Sequence, residues 1–227
     1  MLRKGDTFSD CVFTDESTVQ LGCSTKYCYV KDKTSCARLR SRAKHPGKLH
    51  IWGGISTRGT TELAIFHSSV RIDSKIYCQV LEKCYLKFAD RTYNGYARLV
   101  QDNAPCHKSA YTTRKMDEWG LKRLEWPAES PDLNPIELVW GNMKNFIRGQ
   151  KVRTLAELEV CIRAYWKALT PEKCRKYVES VQWRMKKIIE AGGGNIIECK
   201  PRRGLIEAEN SQEDSDSNDS EEDHNFW

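Results

Sequence analysis

Short apolar runs separated by turn residues occupy the first third of the chain. Residues 9–30 alternate apolar and polar positions between turns, which predicts a meander of short strands. Two further strands are predicted at 49–56 and 62–68, around a Thr-Arg-Gly-Thr turn. Gly53-Gly54 lies inside the first of these strands and indicates a bulge or a close approach of another group to the backbone.

The period of the apolar positions then lengthens toward that of a helix. Strands come first along the chain, helices and strands then alternate, and helices come last. This order predicts a mixed α/β domain. The three last helices are bounded by good start and stop signals, and the final one ends at three consecutive glycines. The elements predicted here are a helix at 73–89, a strand at 97–101, a helix at 108–119, a strand at 122–125, and helices at 135–148, 154–168 and 171–191.

Charge is distributed unevenly along the 227 residues. From Leu205 onward there are nine Asp or Glu and no Lys or Arg, which leaves 37 basic and 22 acidic residues in 1–204, a net charge of about +15. Such a body is expected to bind polyanions, although its cations could also only solvate the surface. The acidic, Ser-rich end is predicted to be disordered. We therefore expect one folded domain at 1–195 and a basic-then-acidic disordered tail at 196–227.

Composition also argues against several protein classes. The chain contains no 18-residue apolar stretch, so no membrane span is expected, and its first residues show no apolar signal core. Neither Cys23 with Cys28 nor Cys78 with Cys84 is spaced as a Cys-x-x-Cys zinc pair. Reduced, structural cysteines in a cytosolic or nuclear protein are therefore expected.

Three acidic residues are placed where predicted elements begin or end. Asp15 and Asp102 each follow an apolar run, and Glu137 lies at the start of the helix predicted at 135–148. Two carboxylates at strand ends and one at a helix start can converge on a pair of hard divalent cations. This arrangement predicts phosphoryl transfer on nucleic acid.

Each acid also has a purely structural explanation. Asp15 and Asp102 could be turn residues that bind the backbone two positions on. Asn134 is a good N-cap and Pro135 suits the first helical position, so Glu137 could close a capping box.

Four segments carry a resemblance to a known family. They are Phe13-Thr14-Asp15-Glu16-Ser17, Ile51-Trp52-Gly53-Gly54, Gln101-Asp102-Asn103-Ala104-Pro105-Cys106-His107, and Trp126 to Trp140 with its Ser-Pro-Asp-Leu-Asn-Pro-Ile-Glu core. From about residue 8 to about residue 195, the chain resembles the catalytic domain of a mariner-superfamily DDE transposase. The resemblance implies an α/β, ribonuclease H-like fold, a mixed sheet flanked by helices.

The resemblance also implies a mechanism and a cofactor. Asp15, Asp102 and Glu137 match the catalytic acids and would bind two Mg²⁺ (or Mn²⁺) ions, with Asp15 bridging both. The implied enzyme is a polynucleotidyl transferase that cuts and joins DNA strands in cut-and-paste transposition and inserts at TA dinucleotides. We therefore expect DNA as partner and the nucleus as location, with a homodimer as a further candidate.

Several other residues are candidate DNA contacts. Asn103 and His107 match the family stretch and would orient Asp102 or touch DNA. Lys144 and Arg148 follow Glu137 by seven and eleven residues, which returns both to within about 20° of its direction on the helix. This face would track a DNA backbone, or form only a solvated basic face. The basic loop at 31–48 matches a family loop that packs against the partner subunit and DNA, and its candidates are Arg38, Arg40 and Arg42.

One departure from the family leaves alternatives open. The family places two helix-turn-helix units before the catalytic domain, whereas about ten residues precede the first predicted strand here. A truncated, decayed or host-adopted copy is therefore expected. A catalytically silent, transposon-derived DNA-binding or interaction protein is one alternative, and a nuclease of the same fold that acts on RNA–DNA hybrids is another.

Overall fold

A mixed six-stranded sheet forms the centre of the domain. The computed structural model describes residues 6–22, 46–127 and 130–192. The strand order is β3-β2-β1-β5-β6, with β4 also paired to β2. Pairing is antiparallel between β1 and β2 and parallel from β1 to β5 and from β5 to β6. The strands are β1 Cys11–Gln20, β2 Lys48–Ser56, β3 Gly59–Thr60, β4 Ala64–His67, β5 Arg98–Val100 and β6 Lys122–Arg123.

Helices cover both faces of this sheet. The helix predicted at 73–89 extends to Tyr93 and contains a π-helical segment. Among the described residues, no helix combines the length and apolarity needed to cross a membrane. The helices are α1 Ser74–Val80, the π-helical segment Leu81–Leu86, α2 Lys87–Tyr93, α3 Pro105–Lys108, α4 Ala110–Glu118, a 3-10 turn Pro131–Leu133, α5 Pro135–Gly149, α6 Leu155–Lys167 and α7 Pro171–Glu190.

Two hydrophobic clusters lie on opposite faces of the sheet. Phe13 of β1 belongs to the cluster formed with α5, α6 and α7, whereas its neighbour Val12 belongs to the cluster formed with α1, α2 and α4. Because side chains alternate along a strand, consecutive residues of β1 necessarily face different helices. This alternation decides which neighbours each acidic residue of β1 meets.

The meander predicted at 9–30 is wrong in the part that the structure describes. A single ten-residue strand runs from Cys11 to Gln20, so Asp15 lies inside a strand and not at its end. The reason is long-range pairing, since the nine-residue β2 continues the antiparallel ladder from Phe13 to Gln20. The predicted turn at 57–60 likewise contains the short strand β3.

Two predictions fall on residues outside the described ranges. These are the disordered tail at 196–227 and the loop cations Arg38, Arg40 and Arg42. They stay predictions.

Candidate active site

Asp15 lies on the face of β1 that is covered by α5. Its partner across the ladder is Gly53, where an added Cβ would lie only 2.6 Å from Trp166 Cη2. The glycine therefore lets the indoles of Trp140 and Trp166 stack against the sheet, with ring centroids 5.3 Å apart. Trp140 Nε1 donates a hydrogen bond of 3.1 Å to Asp15 Oδ2. The close backbone approach predicted at Gly53-Gly54 is thus confirmed.

The first turn of α5 is tied to β1 through its N-cap. Asn134 is buried, its side-chain oxygen accepts from the Ile136 N–H at 3.5 Å, and its Nδ2 donates to Thr14 O at 3.4 Å. Glu137 is exposed, and among the described residues no hydrogen bond joins its carboxylate to the Asn134 N–H. The predicted cap is therefore present without the capping-box bond, which leaves the Glu137 oxygens available for another ligand.

Asp102 follows β5 and opens a turn. Its Oδ1 accepts a 3.0 Å hydrogen bond from the Ala104 N–H, as the turn explanation requires, and lies 2.7 Å from His107 Nδ1. Its side chain is nevertheless 57% exposed. The hydrogen bond from His107 lowers the pKa of Asp102, against the smaller opposing effect of burial. The turn role and a ligand role are therefore compatible at this residue.

His107 joins the Asp102 turn to the other face of β1. The ring is 3% exposed, and its Nε2 lies 3.2 Å from Glu16 Oε1. Tyr77 packs on the ring at a centroid distance of 4.0 Å. Burial alone would lower the pKa of His107, but the hydrogen bonds to Asp102 and Glu16 outweigh it and raise the pKa to about 10. At neutral pH an imidazolium therefore bridges two carboxylates.

Sequence reasoning missed Glu16 and Trp140 as parts of this site. In the sequence Glu16 is only a neighbour of Asp15 within its motif, and Trp140 ends the longest motif and is buried on the apolar side of α5. Strand alternation was the available signal for Glu16, because it directs this residue to the face opposite Asp15. No local signal indicates that the Trp140 N–H reaches a strand 125 residues away.

The carboxylates repel one another in the folded chain. Burial raises the pKa of Asp15 to about 8, and the charges of Glu137, Glu16 and, less strongly, Asp102 add to the effect. Among the described residues, neither Asp15 nor Glu137 takes part in an ion pair. When Asp15 ionises, its charge therefore has no counterion among the described residues.

The fold brings Asp15, Asp102 and Glu137 to one region, but the described residues do not form a complete metal site. Within the described ranges, no three His, Cys, Asp or Glu groups meet closely enough to hold a metal ion. Their chemistry still fits a hard divalent cation, because such ions take carboxylate oxygens and would neutralise the mutual repulsion at Asp15.

The candidate DNA contacts lie in different surroundings. Lys144 and Arg148 line one cavity of about 430 Å³, together with Lys151 and residues from the end of β1. Asn103 is exposed, with no hydrogen bond from its side chain to any described residue. His107 is buried with both nitrogens engaged, which favours its orienting role over a DNA contact.

Comparison with known proteins gives a consistent result. The family model of the DDE superfamily endonucleases matches residues 10–159. The Tc3 transposase of Caenorhabditis elegans is 31% identical over 199 residues, which are 85% of this chain and 59% of that protein. The Tcb2 transposase of Caenorhabditis briggsae is 26% identical over 191 residues, or 80% of this chain and 68% of that protein.

A solved structure shows the same fold at low sequence identity. The Mos1 mariner paired end complex with Mn matches with a TM-score of 0.75 and 16% identity, over 84% of this chain and 57% of that one. This similarity confirms the expected ribonuclease H-like fold, a mixed sheet flanked by helices. The chain therefore belongs to the DDE endonuclease superfamily and has the catalytic-domain architecture of the mariner-type transposases that its motifs resemble.

Proposed function

We propose that this chain catalyses metal-dependent phosphoryl transfer on DNA, as the strand-cutting and strand-joining domain of a cut-and-paste transposase. The observation that carries the proposal is that the fold brings Glu137, at the start of α5, and Asp102, after β5, close enough to Asp15 of β1 for their charges to add to the effect of burial and raise its pKa. A buried acid whose pKa is raised by neighbouring acids is typical of a functional site. Family membership supports the same assignment.

Asp15, Asp102 and Glu137 would hold two Mg²⁺ or Mn²⁺ ions. Bound ions of this kind lower the pKa of an attacking water or 3′-hydroxyl and neutralise charge on the phosphate. Asp15 has no counterion among the described residues and a raised pKa, so a bound cation would be the charge that keeps it ionised at neutral pH. The similar Mos1 structure is itself a complex with Mn.

The surrounding residues orient these acids. Trp140 fixes one oxygen of Asp15, and His107 fixes one oxygen of Asp102. Asn134 holds the first turn of α5, and so Glu137, against β1. Both nitrogens of His107 are engaged, so it lacks a free nitrogen with which to accept a proton from the nucleophile.

The test is a strand-joining assay with Mg²⁺ or Mn²⁺. An oligonucleotide with a free 3′-hydroxyl, representing an already cut element end, is incubated with supercoiled plasmid and the full chain. We expect nicking and joining by the wild-type chain and a loss of at least about 100-fold in Asp102→Asn. Asp90→Asn, an exposed acid on α2, is the matched control and should retain full activity.

Three outcomes decide between the candidate functions. Activity in Asp102→Asn equal to wild type would contradict the proposed site. DNA binding without any metal-dependent cleavage would indicate the silent DNA-binding protein. Cleavage confined to RNA–DNA hybrids would indicate the nuclease alternative.

A homodimer and a nuclear location belong to the same proposal. Both are supported by the mariner-type resemblance and by DNA as substrate. Light scattering of the purified chain with DNA should give the mass of two copies per complex. A fluorescent fusion should concentrate in the nucleus, and a monomeric complex or exclusion from the nucleus would contradict these inferences.

A further inference from the structure

Helices α5 and α7 lie side by side and leave an open groove of about 370 Å³ between them. Two hydrogen bonds show that they run in opposite directions. Arg184 Nη1, late in α7, donates to Asp132 O just before α5 at 2.8 Å. Asn142, further along α5, donates to the hydroxyl of the earlier Tyr177 at 2.7 Å. The Arg184 end of the groove therefore adjoins the first turn of α5, which carries Glu137. One end of the groove lies beside the candidate active site.

Trp183 is the distinctive side chain of this groove. It is 50% exposed, although an indole is among the largest apolar groups a protein can bury. Among the described residues, no aromatic ring, Lys or Arg stacks on its face. Leu138, the residue after Glu137, lines the groove with it. With the half-buried Leu138 and Tyr177, this exposed indole forms a contiguous apolar wall of the groove, as binding surfaces often do.

The charge of the groove indicates an anionic partner. Among the described residues, its lining contains the exposed lysines Lys173 and Lys176 and no Asp or Glu. Lys173 Nζ donates to Ala168 O at 3.0 Å, so Lys176 is the lysine available to a ligand. Lys176 is exposed and forms no ion pair with any described residue. Glu179, one turn before Trp183, lines a different cavity on another side of α7. Lysines beside an unstacked aromatic ring are the combination with which proteins hold single-stranded nucleic acid.

We propose that the α5–α7 groove binds an unpaired segment of a DNA strand, with a base stacked on Trp183 and the adjacent phosphate bound by Lys176. The inference rests on the proposed function, since it places this strand next to the acids that would cut it. A duplex would not suffice, because its bases are stacked on one another and present no free face. The groove therefore selects for DNA that is frayed or single-stranded near the cut site.

The test measures binding of the full chain to a short fluorescein-labelled oligothymidylate and to a duplex of equal length, in EDTA. We expect Trp183→Ala to weaken single-strand binding by about 5- to 100-fold, with little change for the duplex. Trp183→Phe should retain most of the affinity, because phenylalanine keeps a stacking face. Lys176→Glu should weaken binding and reduce its salt dependence.

The matched controls lie outside the groove. Tyr96→Ala removes another exposed aromatic residue, and Lys83→Glu reverses an exposed lysine in the π-helical segment; both should bind like wild type. Wild-type affinity in Trp183→Ala, or equal losses for single strand and duplex, would overturn the proposal. A change of oligomeric mass in Trp183→Ala with unchanged DNA affinity would also overturn it, since the surface would then bind a second copy.

Because EDTA removes the metal, this result does not depend on whether the chain cuts DNA. A loss of single-strand binding in a chain that never cleaves would retain the groove and reject the proposed function. Normal cleavage by the wild-type chain, together with unaltered single-strand binding in Trp183→Ala, would retain the proposed function and reject the groove.

Discussion

Ionisation of Asp15 is unfavourable in the folded chain. Burial and the charges of Glu137 and Glu16 raise its pKa from 3.8 to about 8. The folded state therefore holds this proton more tightly than the unfolded state, and stability falls as pH rises from 3.8 through about 8. Repelling carboxylates that persist in a fold are typical of a site kept for function.

Asp15→Asn should therefore stabilise the metal-free protein at alkaline pH. At about pH 9 we expect its free energy of unfolding, measured with urea, to exceed that of wild type by about 1–3 kcal/mol, because an uncharged amide replaces the repelled carboxylate. At about pH 4 the difference should vanish, since the carboxyl group is then protonated. Added Mn²⁺ should stabilise wild type only. Equal destabilisation at both pH values would contradict the charge argument.

His107 has the opposite pH dependence. Its pKa is raised from 6.5 to about 10, so its bridge between Asp102 and Glu16 contributes fully below pH 6.5 and is lost as pH rises through about 10. We expect His107→Gln to lower the free energy of unfolding by about 1–3 kcal/mol at about pH 6 and by much less above pH 10. His50→Gln, which removes a ring bonded to Thr18, is the control. A pH-independent difference would mean that the ring is neutral in the fold.

At the scale of elements, α5 connects the core to the candidate site. Its buried stripe packs against the sheet, its N-cap binds β1, and Trp140 reaches Asp15. The stack of Trp140 on Trp166 fits only because β2 has a glycine beneath it. The position of Asp15 in the site therefore depends on Gly53, which has no side chain that could take part in the chemistry.

Gly53→Ala should disturb the fold and the site together. The added Cβ would lie 2.6 Å from Trp166 Cη2, so the indole pair must shift. We expect a loss of about 1–3 kcal/mol in unfolding free energy and a change in the near-ultraviolet circular dichroism of the tryptophans. Mn²⁺ affinity should fall as Trp140 moves away from Asp15.

Gly141→Ala is the matched control for this substitution. Gly141 lies in α5, and a Cβ added there would meet no atom within 4 Å, so alanine should be neutral or stabilising by up to about 1 kcal/mol. If Gly53→Ala behaved like Gly141→Ala, the close packing of the indoles would not be a constraint.

At the scale of the whole molecule, α5 lies between two basic cavities. Lys144 and Arg148 line the one near the end of β1, and Lys176 lines the groove beside α7. With a net charge of about +15 in residues 1–204, the domain is expected to bind DNA through phosphate contacts.

Lys144→Glu combined with Arg148→Glu should weaken duplex binding. If each cation contacts one phosphate, the slope of log affinity against log salt should become shallower by about two. Fluorescence anisotropy over a range of NaCl concentrations measures this slope. Lys83→Glu with Lys87→Glu, exposed on the other side of the sheet, is the control of equal charge change. An unchanged slope in the α5 variant would mean that Lys144 and Arg148 form only a solvated basic face.

The sequence predicted those elements whose signals are local. The last three helices lie within a few residues of their expected bounds, because each has an apolar stripe and an N-cap residue: Asn134, Thr154 or Thr170. The length of β1 was predicted wrongly, because pairing with β2 sustains a strand through residues that locally look like a turn. Pairing between distant segments leaves no trace in a window of neighbouring residues.

The sequence alone determined the family, the order of the elements and which acids are candidates for chemistry, because motifs, apolar periods and caps are written in consecutive residues. Only the tertiary structure decided how these acids are held. It directed Glu16 to His107 on one face of the sheet and Asp15 to Trp140 on the other. These contacts span 91 and 125 residues, and such distances close only when the sheet and its helices assemble.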